Sequence, residues 1–268
     1  MLAPERATLL ELLRGLSDEQ WALPTECPEW DVKGVALHIL GDDLSLLSRQ
    51  RDVAPQGLSL YAQSNPGLNF RQLLDGFNEQ WVTASSFLSP ALIIELLRLV
   101  GEWSDEFYCN VGLETRAREP VGLFAATQSS PYWQLIAREY LERIVHQSQI
   151  RRAIGAPELD GELVTEVARV ISHILCVWLP DFAPPTGTTV AMTWGNAGTW
   201  TLTRNENSWT ASDGANNPDA HVTFAPEVAL RVITRGISRE ESVGGISVEG
   251  DEQLGRDILD QTAHLLTP

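Results

Sequence analysis

The sequence predicts an α+β protein in two domains: a bundle of four main helices over residues 1–155, and a smaller α+β domain over residues 160–268 that begins with a bridging helix. Three observations predict this. Apolar residues recur at the helical period from the start of the chain to Trp178. Beyond Pro185 the pattern turns to strict alternation, the mark of strands half buried in a sheet. Between the two regimes Pro184-Pro185-Thr-Gly187 reads as a linker, because proline and glycine interrupt both patterns.

The helices follow in order. Leu2, Leu9, Leu10, Leu12, Leu13 and Leu16 line a first amphipathic helix, and Ser17-Asp-Glu-Gln20 has the form of a capped short turn. Pro24-Thr-Glu-Cys-Pro28 is a loop stiffened by its prolines. Asp31 is placed to cap a second helix, whose core stripe is Leu37, Leu40, Leu44 and Leu47. His38 lies beside that stripe, and Asp42 one turn beyond it. A third helix starts near Asn69 and carries Leu73, Leu74, Phe77, Trp81 and Phe87; Ser89-Pro90 opens the next, through Leu92, Leu96, Leu97 and Val100. Gly112 to Pro131 is an irregular excursion, followed by a helix that holds residues 140–151. Four main helices with long middle connections suggest an up-down bundle, a fold in which inward side chains build metal sites. After the break at Gly155-Ala-Pro-Glu-Leu-Asp-Gly161, Leu163, Val167, Val170, Ile171, Ile174, Leu175 and Trp178 make one more helix that stops at Pro180. His173 shares a face with Glu166 and Arg169, which predicts a solvent-exposed imidazole.

In the second domain, strands over 188–194 and 199–204 flank Gly195-Asn-Ala-Gly198, a hairpin signal. Two short strands over 208–212 and 221–224 follow, separated by Asp213-Gly-Ala-Asn-Asn-Pro218. Pro226 starts a helix with Val228, Leu230, Val232 and Ile233. A fifth strand over 246–248 and a closing helix over 251–266 complete the small α+β domain.

Composition narrows the function classes. The net charge is −17 and Lys33 is the single lysine, a balance that repels phosphate backbones and anionic lipid, so neither nucleic acid nor membrane is an expected partner. No segment approaches the ~20 apolar residues needed to span a bilayer. The first residues, Met1-Leu-Ala-Pro-Glu-Arg-Ala, carry charge where a signal peptide needs an apolar run. Cys27, Cys109 and Cys176 are odd in number, far apart and without a Cys-x-x-Cys pair, which fits reduced cysteines in a cytoplasmic protein.

One pattern carries chemistry. Glu142 and His146 stand four residues apart, on one face of a helix, where a carboxylate and an imidazole can share a divalent ion. His38 would be the third ligand, from another helix. Two histidines and one carboxylate leave coordination positions open for water or substrate, as catalytic rather than structural sites do. The same pair is also common on solvated helix faces, so spacing alone leaves both readings open. His221 and His264 have no partner at metal spacing.

The stretch Trp21-Ala-Leu-Pro-Thr-Glu-Cys-Pro-Glu-Trp-Asp-Val-Lys-Gly-Val-Ala-Leu-His-Ile-Leu-Gly-Asp-Asp43 resembles the mycothiol-dependent maleylpyruvate isomerase family, whose members read W-x-x-P-T-x-C-P-G-W-x-V before a helix with H-L-x-G-D. Glu29 stands where the family has Gly. Glu142-Arg-Ile-Val-His-Gln-Ser-Gln-Ile-Arg151 resembles the family's E-x-x-V-H-x-x-x-I-R helix, and Gly250-Asp-Glu-Gln-Leu254 resembles the start of the last helix of its C-terminal domain. The resemblance implies a DinB-like four-helix bundle followed by an α+β domain similar to sterol carrier proteins. It implies a divalent metal, as a rule zinc, on two His and one Glu; the matching positions are His38, Glu142 and His146. Nickel or iron would suit the same ligands.

The resemblance also implies the chemistry. A low-molecular-weight thiol such as mycothiol, activated at the metal, attacks an electrophilic substrate. In the family's isomerase it adds to the cis double bond of maleylpyruvate, the bond rotates, and elimination releases the trans product. Related members transfer the thiol instead. Arg231 and Arg235, one turn apart on the helix after Pro226, are the candidate cations for an anionic substrate; two solvated arginines are the alternative. Asp42 is a candidate to orient His38. Cys27, in a Pro-flanked loop without a neighbouring base, is not expected to be the nucleophile. Two other functions share the ligand set: metal or small-molecule binding without turnover, and metal-assisted hydrolysis.

Overall fold

The computed structural model describes residues 2–118, 130–179 and 181–266, with the backbone alone for Arg239 and residues 262–266. Residues 119–129 of the expected excursion, Pro180 at the expected helix stop, and the His264 side chain lie outside this description. The chain divides into two compact units: residues 1–136 with 149–157, and residues 137–148 with 158–268.

The first unit is helical. Its elements are α1 (Leu2–Arg14), α2 (Asp18–Trp21), α3 (Val32–Leu46), a π-helical turn (Leu47–Arg51), α4 (Gly57–Ser64), α5 (Phe70–Ser85), α6 (Pro90–Asn110) and the two ends of α7 (Tyr132–Ala153). Local chemistry sets the starts. Asp31 accepts a hydrogen bond from the Gly34 amide, Ser89 from Leu92, and Asn69 forms a reciprocal capping box with Gln72. The apolar stripes then meet in one core of Leu9, Leu13, Val35, Leu37, Leu40, Ile93, Leu97, Val100 and Ile150. Among the described residues of this unit the only β-structure is two isolated bridges, Pro24 to Asp31 and Arg116 to Pro131.

A buried ion cluster ties three of these helices. Arg6 of α1, only 5% exposed, donates to Asp105 of α6 and lies 4.0 Å from the carboxylate of Asp43 on α3. Asp43, 2% exposed, also accepts a hydrogen bond from Ser104 at 3.2 Å. Gly101 makes room for the guanidinium, since a Cβ there would fall 2.0 Å from Arg6 Nε.

The second unit holds α8 (Gly161–Trp178), β1 (Thr189–Trp194), β2 (Thr199–Arg204), β3 (Trp209–Asp213), β4 (Ala220–Phe224), α9 (Pro226–Ile233), α10 (Arg239–Ser242), β5 (Ile246–Gly250) and α11 (Glu252–Leu266). The sheet order is β3-β2-β1-β4-β5, with β1 and β4 parallel at the centre and every other pair antiparallel. Alternation puts Met192, Trp194, Leu202, Val222 and Phe224 on the covered face. There Trp194 stacks on Phe224 at 4.2 Å between ring centroids, and its indole N–H donates to Ser172 of α8 at 2.9 Å. Gly195 and Gly198 take positive φ in the β1–β2 turn, as the hairpin signal requires.

The Trp194–Ser172 bond joins α8 to the sheet. Trp194→Phe keeps the stack on Phe224 and removes that bond, and should destabilise the protein by about 1–3 kcal/mol. Urea unfolding followed by far-UV circular dichroism measures the loss; an unchanged midpoint would show that the bond contributes nothing.

Candidate metal centre

His38 lies in the middle of α3, with Leu37 and Leu40 in the core on either side, and is 7% exposed. Glu142 and His146 lie on successive turns of α7; His146 is 8% exposed and Glu142 is half-buried. One nitrogen of each imidazole and one carboxylate oxygen of Glu142 all lie within 4.8 Å of one another. His146 Nε2 stands 3.5 Å from Glu142 Oε2. Ligands at about 2.0–2.2 Å from a tetrahedral zinc ion are themselves about 3.4 Å apart, so this pair already has the spacing of two ligands on one metal. The donor set is the borderline nitrogen and oxygen kind that suits zinc, nickel or iron(II). Three protein ligands would leave at least one position open.

The surroundings orient two of the three side chains. Arg138 lies 3.9 Å from Glu142 Oε1 and 2.6 Å from Glu139 Oε1, so the carboxylate of Glu142 turns one oxygen to an arginine and the other to His146. The Trp30 indole packs on the His38 ring, with centroids 4.7 Å apart and planes inclined by 32°. Neither Arg138 nor Trp30 was singled out by spacing. Arg138 had a usable signal, its place four residues before Glu142. The Trp30 contact spans a loop-to-helix junction, where no periodic rule applies.

Asp42, the candidate to orient His38, is half-buried, and its neighbour Asp43 is the buried carboxylate, engaged with Arg6 and Ser104; a shift of one residue turns a helical side chain to another face. Two sequence expectations need correction. His173 is half-buried on α8 rather than solvent-exposed, and burial, followed by the nearby Arg169 charge, lowers its pKa. Arg231 and Arg235 do not share a helix. The helix stops at Ile233, and Arg235 takes φ +55° just beyond it. The amides of Arg235 and Gly236 bond back to the Val232 and Arg231 carbonyls, the paired closure usual at a helix end with a left-handed residue. Both side chains are exposed, and Arg231 donates to the Gly236 carbonyl at 2.7 Å.

The cysteines are chemically quiet. Burial, reinforced by the Glu29 and Asp75 charges, pushes the Cys27 thiol up to about 11. Burial pushes Cys176 up to about 12. The thiolate is the reactive form, so neither side chain is set up as a nucleophile. No helix of the described residues is long and apolar enough to cross a membrane.

Two crystal structures share the fold across most of the chain: the mycothiol-dependent maleylpyruvate isomerase and a mutant of it. Each aligns with a TM-score of 0.52 and 10% sequence identity, over 92% of this chain and 90% of the other. No curated protein sequence matches. The family model described as the mycothiol maleylpyruvate isomerase N-terminal domain matches residues 2–151, more than half of the chain and the whole stretch that bears His38, Glu142 and His146, so the chain belongs to the mycothiol maleylpyruvate isomerase family.

Proposed function

We propose that the protein is a thiol-dependent enzyme, a maleylpyruvate isomerase-like isomerase or an S-transferase, that holds a divalent metal on His38, Glu142 and His146. The observation that carries this reading is the approach of three ligand atoms to within 4.8 Å, two of them on one helix and one on another. When bound, the ion would supply the positive charge that deprotonates a small thiol near neutral pH. Glu142 is the single anion of the ligand set, and its approach to Arg138 moderates even that charge.

The carbon chemistry then balances without a redox step. The thiolate forms a C–S bond to one carbon of an activated cis double bond, and the displaced electron pair moves into the neighbouring carbonyl system. Rotation about the resulting single bond and return of the pair expel the thiolate and leave the trans alkene. An S-transferase differs only in that the adduct takes up a proton and keeps the C–S bond. The thiol is a small molecule in this reading, because the half-buried Cys27 and Cys176 are protonated near neutrality.

Arg235 is the proposed anion-binding group of the second unit. A left-handed backbone is strained for a residue with a Cβ, and Gly236 next door would take that place at no steric cost. The chain places Arg there instead, which supports a role for this guanidinium. Arg231, which bonds to the Gly236 carbonyl, is the secondary candidate.

His146→Ala should remove metal and activity together, because two remaining ligands hold an ion poorly. Metal analysis of purified protein, then turnover of maleylpyruvate or a model electrophile with mycothiol and other small thiols, checks this. Metal-loaded protein that is inactive with every thiol but hydrolyses an ester would overturn the thiol reading in favour of a hydrolase; inactivity in both assays would favour a binding protein. Arg235→Ala should spare the metal and raise KM for an anionic substrate about tenfold or more. An unchanged KM would remove Arg235 from the site. Alkylation with iodoacetamide at pH 8 should fall on exposed Cys109, with Cys27 and Cys176 spared, since at pKa about 11 only about one thiol in a thousand is ionised. Peptide mass spectrometry reads the outcome.

A further inference from the structure

The loop before α3 carries the most specific motif of the chain, yet contributes no ligand. Its residues converge on one side chain. The Trp30 carbonyl accepts hydrogen bonds from the Thr25 amide at 3.3 Å and the Thr25 hydroxyl at 2.7 Å, and the Trp30 amide donates to the Cys27 carbonyl at 3.0 Å. The Thr25 hydroxyl oxygen in turn accepts from the Cys27 amide at 3.1 Å. Gly34, in the first turn of α3, leaves the space that the indole needs: a Cβ there would sit 2.9 Å from the Trp30 Cβ. The far end of the indole is tethered as well, because Nε1 donates to Glu79 Oε2 on α5 at 2.8 Å. The other oxygen of Glu79 accepts from Thr83 at 2.7 Å, so the tether is itself held. An indole fixed at both ends then lies on the His38 imidazole, 4.7 Å between centroids.

We propose that Trp30, tethered by Glu79, is a positioning residue that sets the plane of the His38 imidazole for metal binding; the proposal rests on the metal reading above. An imidazole presents its lone pair in the ring plane, so the plane must contain the metal. Rotation about the side-chain bonds of His38 swings the lone pair away. A hydrogen bond to the other ring nitrogen is the usual device against that rotation. A packed, anchored aromatic face opposes the same rotation by contact, with an attraction of order 1 kcal/mol beyond the area it buries. The loop motif and Gly34 then have a purpose in the site without touching the ion.

The test is zinc affinity of the full-length chain, by competition with a chromophoric chelator, together with the visible spectrum of the cobalt-substituted protein. Trp30→Ala should weaken zinc about 10–100-fold, the range seen when a group that orients a metal ligand is removed. It should also alter the cobalt spectrum as His38 loses its fixed plane. Trp30→Phe keeps an aromatic face and should recover most of the affinity, whereas Glu79→Ala, a surface change that leaves the indole in place but free to tilt, should show a smaller loss in the same direction. Thermal unfolding of the metal-free variants separates this from general damage. Zinc affinity and cobalt spectrum unchanged in Glu79→Ala, with Trp30→Ala either equally unchanged or too unstable to assay, would overturn the proposal while leaving the metal site intact. Failure of the wild-type chain to bind zinc or cobalt at all would overturn the metal reading and this proposal with it.

Discussion

The helical unit depends on how it houses a charge. Arg6 is buried among α1, α3 and α6, and a guanidinium out of water must be met by carboxylates or it costs several kcal/mol. Asp43 and Asp105 meet it from two helices, and Gly101 yields the volume. Hydrophobic stripes alone would let helices slide by small amounts at little cost. A buried ion cluster does not, because its angular and distance demands are sharp. Asp43 lies little more than one turn beyond His38 on the same helix, so the cluster that fixes the register of α3 also fixes the height at which the imidazole is presented.

Much of this fold was legible because local and tertiary demands agree. Asp31, Asn69 and Ser89 cap helices where their side-chain chemistry says they should, and the strand over 199–204 is bounded by the turn glycine before it and Asn205 after it. Each miss has its own local cause. The helix α4 buries none of its residues, so it has no apolar stripe to read. The π-helical turn after Leu46 has the wrong period for a helical template and too few residues to show its own. The early end of α9 was hidden because Thr234-Arg235-Gly236 invites glycine, not arginine, as the left-handed residue.

The candidate site was legible to a different depth. Spacing and motif name His38, Glu142 and His146, and the three approach within 4.8 Å. What holds them was not legible. Trp30 reaches His38 over eight positions of loop and helix, and its tether to Glu79 joins segments far apart in the chain. Such support is a property of packing, and only its anchor points leave a trace in the sequence as Thr25, Trp30 and Gly34. The middle of α7 holds further buried polar groups, among them Gln147, whose two amide atoms have no hydrogen-bond partner among the described residues. A helix that buries polar groups at such cost is shaped by more than core packing.

The mixed sheet has a consequence for the protein in concentrated solution. With β1 and β4 at its centre, its open edges are β3 and β5, each only five residues long. An unpaired edge is a template for another chain, and cross-strand association of identical edges is a common route to aggregates. Here β3 carries Asp213 and β5 carries Glu249. Two copies that met edge to edge would bring like charges together along a ladder too short to compensate them, within a chain whose net charge is already −17. The edges are thus blunted by length and charge, while the sheet's neutral, aromatic interior stays under its helices.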